Sequence, residues 1–298
     1  MRGTVVAASA AAVAATLAYS AGYEASAFRL RRVRVPVLPE HHRPLRVLHL
    51  SDLHLTPAQH SKREWVQSLA GVRPDLVVST GDLIAHRAAV GPLATALDGL
   101  LDVPGVFVRG SNDYFAPVVK NPGRYLLPVD GRRSVHGPRL PTADLDALLT
   151  GSGWVDVDNA RRQLHVGDTT LDVVGTDDAH LDMDRYDVVA GPRSKQADLL
   201  VGVTHAPYRR VLDAMVDDGA DLVLAGHTHG GQVCLPGGRA LVTNCDLDTG
   251  RARGLSHHPP GGRTWLHVSA GLGTSPTAPV RLFCAPEATL LTLVADTR

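Results

Sequence analysis

The chain is poor in the residues that mark several protein classes. It has three cysteines in 298 residues, Cys234, Cys245 and Cys284. They form neither a CxxC pair nor a zinc-ribbon spacing, so they outline no disulfide framework, although one disulfide between two of them stays open. Net charge is also missing, since 30 Lys plus Arg offset 30 Asp plus Glu. Without an overall electropositive field, nucleic acid is not an expected partner. An H-E-x-x-H zincin stretch is absent, and "GSGW" and "GTSP" do not supply the G-x-S-x-G elbow of a serine esterase. The remainder, 44% hydrophobic and 20% charged, is ordinary globular composition, and its length suits one large α/β domain or two small ones. Histidine is the exception. There are fifteen, several of them at the ends of apolar runs.

Charge is absent again from Gly3 to Tyr23, where "TVVAASAAAVAATLAYSAGY" is mostly alanine and valine. That is close to the roughly 20 residues that cross a bilayer, although alanine is only weakly apolar. A membrane anchor over residues 1–24 is the first expectation. A signal segment cleaved near "AYS", implying secretion, and a buried or disordered helix are the alternatives. Arg29, Arg31, Arg32 and Arg34 follow while only Arg2 precedes, an asymmetry that favours a cytoplasmic main domain but leaves the side of the membrane open. Residues 25–44, ending in "VPVLPEHHRP", read as a linker, and residues 45–298 as the main domain.

Five short apolar runs then read as buried strands: "LRVLHL" (45–50), "PDLVVST" (74–80), "PGVFVRG" (104–110), "LLVGVT" (199–204) and "ADLVLAG" (220–226). Helical patterns lie between them at 60–72, 92–103 and 208–219, the last with Val211, Leu212 and Met215 on one face. Alternating strand and helix predicts an α/β layered fold. Each strand end carries polar residues: Asp52 and His54, Asp82, Asn112 and Asp113, His205, then His227 and His229 in "LVLAGHTHGGQ". In an extended segment, residues i and i+2 point to the same side, so the last two imidazoles can converge. Singly, these residues serve equally well as helix caps, turn residues or buried histidines. Five strands delivering them together point to a site at the carboxyl ends of a sheet.

The set resembles the calcineurin-like metallophosphoesterases, whose signature runs D-x-H, G-D, G-N-H-D/E, a lone His, then G-H-x-H. Here "DLH" stands at 52–54, "GD" at 81–82, "GSND" at 110–113, "THAP" around His205 and "GHTH" at 226–229. The flank "GHTHGGQ" is similar to the bacterial membrane-associated phosphodiesterase branch. The resemblance implies a four-layered α/β/β/α sandwich and two divalent metal ions, Mn, Fe or Zn. Asp52, His54 and His229 would hold one ion, Asn112, His205 and His227 the other, with Asp82 bridging. Such a centre implies a metal-dependent phosphoesterase that cleaves a phosphodiester or pyrophosphate bond with a metal-activated water. A metallo-β-lactamase-like hydrolase would continue as H-x-H-x-D-H, whereas Gly230, Gly231 and Gln232 follow here.

One motif departs from the family. In Gly110-Ser111-Asn112-Asp113 either Ser111 or Asn112 falls on the ligand asparagine. Asn112 is preferred, because its carbonyl oxygen is the better donor. In both registers the usual histidine acid is missing, which favours a substrate with a good leaving group and makes Asp113, if its pKa is raised, the candidate acid. A catalytically weak metal-binding sensor or scaffold is the alternative function. Lipid-linked headgroups and nucleotide-sugar pyrophosphates are the candidate substrates. The segment 114–141, with five prolines and Lys120, Arg124, Arg132, Arg133 and Arg139, reads as either a basic lid or a solvated loop. "GTDDAHLDMDRY" (175–186), with Asp177, Asp178 and His180, either lines the cleft or forms a turn.

Overall fold

Aliphatic residues on successive positions of one strand can be buried only if both faces of its sheet are covered. In the computed structural model, which describes residues 2–119 and 136–297, this is what surrounds the five expected strands. The elements run α1 (Arg2–Ala18), β1 (Arg29–Leu38), β2 (Leu45–Leu50), α2 (His60–Ser68), β3 (Leu76–Ser79), α3 (Val90–Ala96), β4 (Gly105–Phe107) and the one-turn helix α4 (Ser111–Tyr114). There follow α5 (Thr142–Gly151), β5 (Val155–Asp156), β6 (Arg161–Val166), β7 (Thr169–Gly175), β8 (Leu199–Thr204), α6 (Arg209–Asp217), β9 (Leu222–Ala225), β10 (Gly254–His258), β11 (Thr264–Val268) and β12 (Glu287–Ala295).

Two six-stranded sheets form, in the orders β1-β12-β2-β3-β4-β5 and β10-β11-β9-β8-β7-β6. They face each other across an aliphatic layer that includes Val47, Val78 and Val106 from one and Val201, Leu222 and Leu224 from the other. The alternate residues Leu48, Leu50 and Val77 point outward, against Val66, Leu93 and Leu149 of α2, α3 and α5. Across the molecule, Val211, Leu212 and Met215 of α6 cover Val223 and Leu266. This is the expected α/β/β/α sandwich. Burying each such side chain fully contributes roughly 1.5–3 kcal/mol, so the strand period of two fixes which layer every residue joins.

Two expectations about the amino end meet the structure here, and the first is corrected. Residues 25–44 are not a plain linker, because residues 29–38 form the edge strand β1, in parallel register with β12 from Arg29↔Glu287 to Pro36↔Val294. Its exposed arginines disguise a strand that buries Val35 and, past a register shift after Pro36, Leu38. Second, among the described residues no helix is long and apolar enough to cross a membrane. Helix α1 has 17 residues, about 26 Å at 1.5 Å per residue against a hydrocarbon core of ~30 Å. It then passes into a π-helical turn, Tyr19–Tyr23.

Candidate metal centre

Immediately after β2, β3 and β9 the backbone is bent into conformations that most side chains avoid. Asp52 (φ 51°), His54 (43°), Asp82 (54°), His227 (68°) and His229 (50°) all occupy the left-handed region. Asp and His tolerate it better than most residues, yet each instance costs on the order of 1–3 kcal/mol and persists only where neighbours enforce it. Here the loops hold one another: the Asp52 amide donates to the Gly81 carbonyl and the His54 amide to the Asp82 carbonyl, both at 2.9 Å. Glycine permits the approach. A Cβ on Gly226 would collide with Ser51 Oγ and Asp52 Oδ2, and one on Gly110 would collide with Asp82 Oδ1 and the His205 ring.

These bends bring Asp52, His54, Asp82 and His229 together, with one candidate ligand atom from each lying within 4.8 Å of the others. His54 Nε2 lies 3.0 Å from His229 Nε2 and 3.4 Å from Asp82 Oδ2, and His229 Nε2 lies 3.5 Å from Asp52 Oδ1. His229 Nδ1 donates to the Gly273 carbonyl at 3.0 Å, which leaves Nε2 as the bare nitrogen facing the cluster. The arrangement suits a divalent cation. It converges two carboxylates and two imidazoles, with a buried His54 Nδ1 that has no protein partner.

Two of the other three candidates, Asn112 and His205, also adjoin Asp82, and His227 packs against His205. Asn112 gives its backbone N–H to Asp82 Oδ1 at 2.7 Å and its amide nitrogen to Oδ2 at 2.8 Å. To offer its carbonyl oxygen to an ion there, the amide must turn over. Ser111 Oγ is 3.3 Å from the same amide nitrogen, so both residues of the departing motif adjoin the site. His205 Nε2 is 3.6 Å from Asp82 Oδ2, while its Nδ1 donates to the Thr80 carbonyl at 2.6 Å. The His227 ring centre lies 5.2 Å from that of His205, and its Nε2 donates to the Asn244 carbonyl at 3.2 Å. Each of these imidazoles is thus oriented by a backbone carbonyl behind it, as in metal-ligating histidines generally.

Electrostatics separate the two sides. Burial lowers the pKa of His54, with His229 adding to the effect, and burial also lowers His229 and His227. Burial opposes the charged form of His205 too, but the Asp82, Asp178 and Asp52 carboxylates more than reverse it and hold the ring up to about 9. Burial raises Asp82, with the His205 charge pulling the other way.

Asp113 is placed differently from the expected acid. Burial raises its pKa to about 7, and the Asp82 charge adds to this. Both its oxygens are nevertheless committed, accepting the backbone N–H groups of Asp82 (2.7 Å), Leu83 (2.8 Å), Ile84 (3.3 Å) and Gly110 (3.0 Å). It fastens the β3 loop to the β4 loop, and no oxygen is left over for a leaving group. Of the basic residues in segment 114–141, Lys120, Arg124, Arg132 and Arg133 lie outside the described residues, and Arg139 stacks on Phe115 at 5.7 Å. The 175–186 stretch adjoins the site. Asp178 caps the turn at Ala179–Leu181, and the His180 ring centre lies 4.6 Å from that of His227.

Sequence reasoning missed the residues behind the centre. Arg281, wholly buried, donates to the carbonyls of His229, Cys284, Ala270, Gly271 and Gly273. Lys62, also buried, donates to the Leu53 carbonyl at 2.7 Å. Neither belongs to a motif, and a contact to a carbonyl leaves no mark in a sequence.

With this geometry in hand, comparison with known proteins is direct. An uncharacterized protein of Bacillus subtilis, YpbG, is 25% identical over 249 residues, covering 82% of this chain and 83% of its own. Phosphodiesterase YaeI of Escherichia coli is 25% identical over 295 residues, covering 95% and 97%. Among solved structures, TT1561 of Thermus thermophilus aligns with a TM-score of 0.40 at 14% identity, over 77% of this chain and 91% of that one. The model of the calcineurin-like phosphoesterase family matches residues 45–231, and the chain belongs to that family.

Proposed function

We propose that the chain is a metal-dependent phosphodiesterase or pyrophosphatase built on two divalent ions. The observation that carries this reading is the position of Asp82. Its Oδ2 is in reach of His54 at 3.4 Å, of His205 at 3.6 Å and of the Asn112 amide at 2.8 Å, so one carboxylate oxygen adjoins members of both ligand sets. Asp52, His54 and His229 would hold one ion and Asn112, His205 and His227 the second, with Asp82 shared. Ions held there would supply a water of lowered pKa and positive charge against the phosphate oxygens. The mixed nitrogen and oxygen donors favour manganese, iron or zinc over calcium. The chain supplies rings pre-aimed by the Thr80, Gly273 and Asn244 carbonyls. It supplies no histidine in "GSND", and Asp113 is occupied by backbone. A leaving group that departs without a strong acid, as from a diester or pyrophosphate, fits this lack.

The amino end favours work at a bilayer surface. Val13, Leu17, Tyr19 and Tyr23 are exposed, and the exposed Arg29, Arg32 and Arg34 follow on β1. An apolar helix followed by clustered arginines suits an anionic lipid surface. A lipid-linked diester is therefore the favoured substrate, ahead of a nucleotide-sugar pyrophosphate. The altered "GSND" motif favours one other reading, a metal-binding sensor with little turnover.

The test is hydrolysis of bis-p-nitrophenyl phosphate against p-nitrophenyl phosphate by the full chain. It is run in manganese, in zinc and after chelation, beside Asp82→Ala. Metal-dependent diester cleavage that Asp82→Ala abolishes is the expected result. Metal binding without turnover in any metal overturns the hydrolase and establishes the sensor.

A further inference from the structure

The layer between the two sheets is aliphatic over most of its area but becomes polar directly beneath Asp52. His49 of β2 and His267 of β11 meet there across the gap, Nδ1 to Nδ1 at 2.9 Å, both fully buried. From His49 the contacts continue: Nε2 to Thr80 Oγ1 at 2.9 Å, Thr80 Oγ1 to Ser51 Oγ at 2.7 Å, and Ser51 Oγ to Asp52 Oδ2 at 2.6 Å. Four successive hydrogen bonds therefore link one sheet to a candidate ligand on the other.

The direction of every link follows from donor counting. An ionised Asp52 only accepts, so the Ser51 hydroxyl donates to it. Having one proton, Ser51 must then accept from Thr80, and Thr80 in turn from His49 Nε2–H. Burial lowers the pKa of both imidazoles, so each is neutral and carries one N–H. With its proton on Nε2, His49 presents a bare Nδ1, which His267 Nδ1–H fills. The sequence ends at His267 Nε2, which is buried and has no partner.

We propose that His267, His49, Thr80 and Ser51 form a one-way hydrogen-bond chain that positions Asp52 for metal binding, with His49 and His267 as positioning residues. The proposal rests on the reading of Asp52 as a ligand and adds what holds it. Ser51 holds Asp52 Oδ2 at 2.6 Å and the His227 amide straddles the carboxylate, 3.0 Å from Oδ2 and 3.2 Å from Oδ1, with Oδ1 lying 3.5 Å from His229 Nε2. The chain also sets the site's tolerance. A reversal at any link leaves either two donors or two acceptors facing each other in a dry interior, where neither finds water. Thr80 serves both ion sites, since its hydroxyl is in this chain and its carbonyl orients His205.

Two measurements on the full chain test this, and neither reads turnover, so failure of the hydrolase reading leaves both intact. In the first, nitrogen-15 NMR of the metal-free protein assigns the histidine tautomers. The expected result is the Nε2–H form for His49 and the Nδ1–H form for His267; the Nδ1–H form at His49 overturns the proposal. The second compares manganese affinity in His49→Phe, which fills the space without polar atoms, with His49→Gln, which offers both a donor and an acceptor. The Phe variant weakens one of the two ions by roughly tenfold or more, the range seen when groups behind metal ligands are removed, and the Gln variant recovers most of the loss. Unchanged affinity in both variants, or equal loss in both, overturns it. If His49→Phe does not fold, Ser51→Ala removes the last link and is read the same way.

Discussion

On the proposed reading, the two ligand sets that flank Asp82 are unlike. On one, Asp52, His54 and His229 already converge, and burial keeps the two imidazoles neutral and able to bind a cation at once. On the other, Asn112 points its amide nitrogen inward and His205 stays protonated up to about 9. An ion on the first flank meets bare donors. An ion on the second must displace a proton and turn an amide. On that reading a symmetric-looking motif list encodes one prepared site and one that must rearrange to take its ion, which predicts ordered filling.

The widest break in this comparison comes from the shared residue. Asp82→Ala removes the group common to both flanks, and steady-state hydrolysis falls about 10³-fold, the scale of the several kcal/mol that two ions contribute. Bound metal, counted by elemental analysis, drops below one ion per chain. Next in size is Asp113→Ala, which strips the acceptor from four backbone N–H groups. Urea unfolding should show a loss of about 2–4 kcal/mol, the cost of leaving one to a few buried donors unsatisfied. Asp113→Asn should lose less and keep the wild-type pH–rate profile, whereas a changed profile would restore Asp113 as an acid.

His54→Ala and His205→Ala sharpen the comparison directly. Each weakens one ion by roughly 10–100-fold in a metal titration, the tighter ion for His54 and the weaker for His205. Loss of the same ion in both variants would refute the ordering. The smallest effect is a proton count. Below pH 9, calorimetry in two buffers of different ionisation enthalpy should find a proton released as the weaker ion binds, and none with the tighter. The linkage has a definite sign. His205 titrates higher in the folded metal-free chain than at its ordinary 6.5. Its contribution to stability is complete below pH 6.5 and is lost as pH rises through about 9.

Much of this was legible in the sequence, for a local reason. The D-x-H, G-D and G-H-x-H stretches each sit at the end of a strand buried on both faces, and such strands announce themselves by unbroken aliphatic residues. Strands without that signature were missed. β1 carries four arginines, and β10 holds "GLSHH", which is half-exposed along most of its length. The role of Asp113 could not be read, because a backbone amide donates alike whatever residue owns it. His267 stands 218 residues from His49, and only the packing of one sheet on the other makes them neighbours. Arg281 likewise gains its place by folding alone.

The parallel pairing of β1 with β12 has a mechanical consequence. Arg29 lies beside Glu287 and Pro36 beside Val294, so the two strands enter and leave the sheet in the same direction. Tension drawing the chain backward at residue 29 and forward at residue 295 loads the ladder lengthwise. Its hydrogen bonds must then slide past one another together, whereas an antiparallel hairpin pulled at its two ends opens one bond at a time. The Arg31–Glu287 ion pair at 2.9 Å lies across the same seam. A pull on the chain at residue 29 therefore meets the sheet in shear, its stiffest direction.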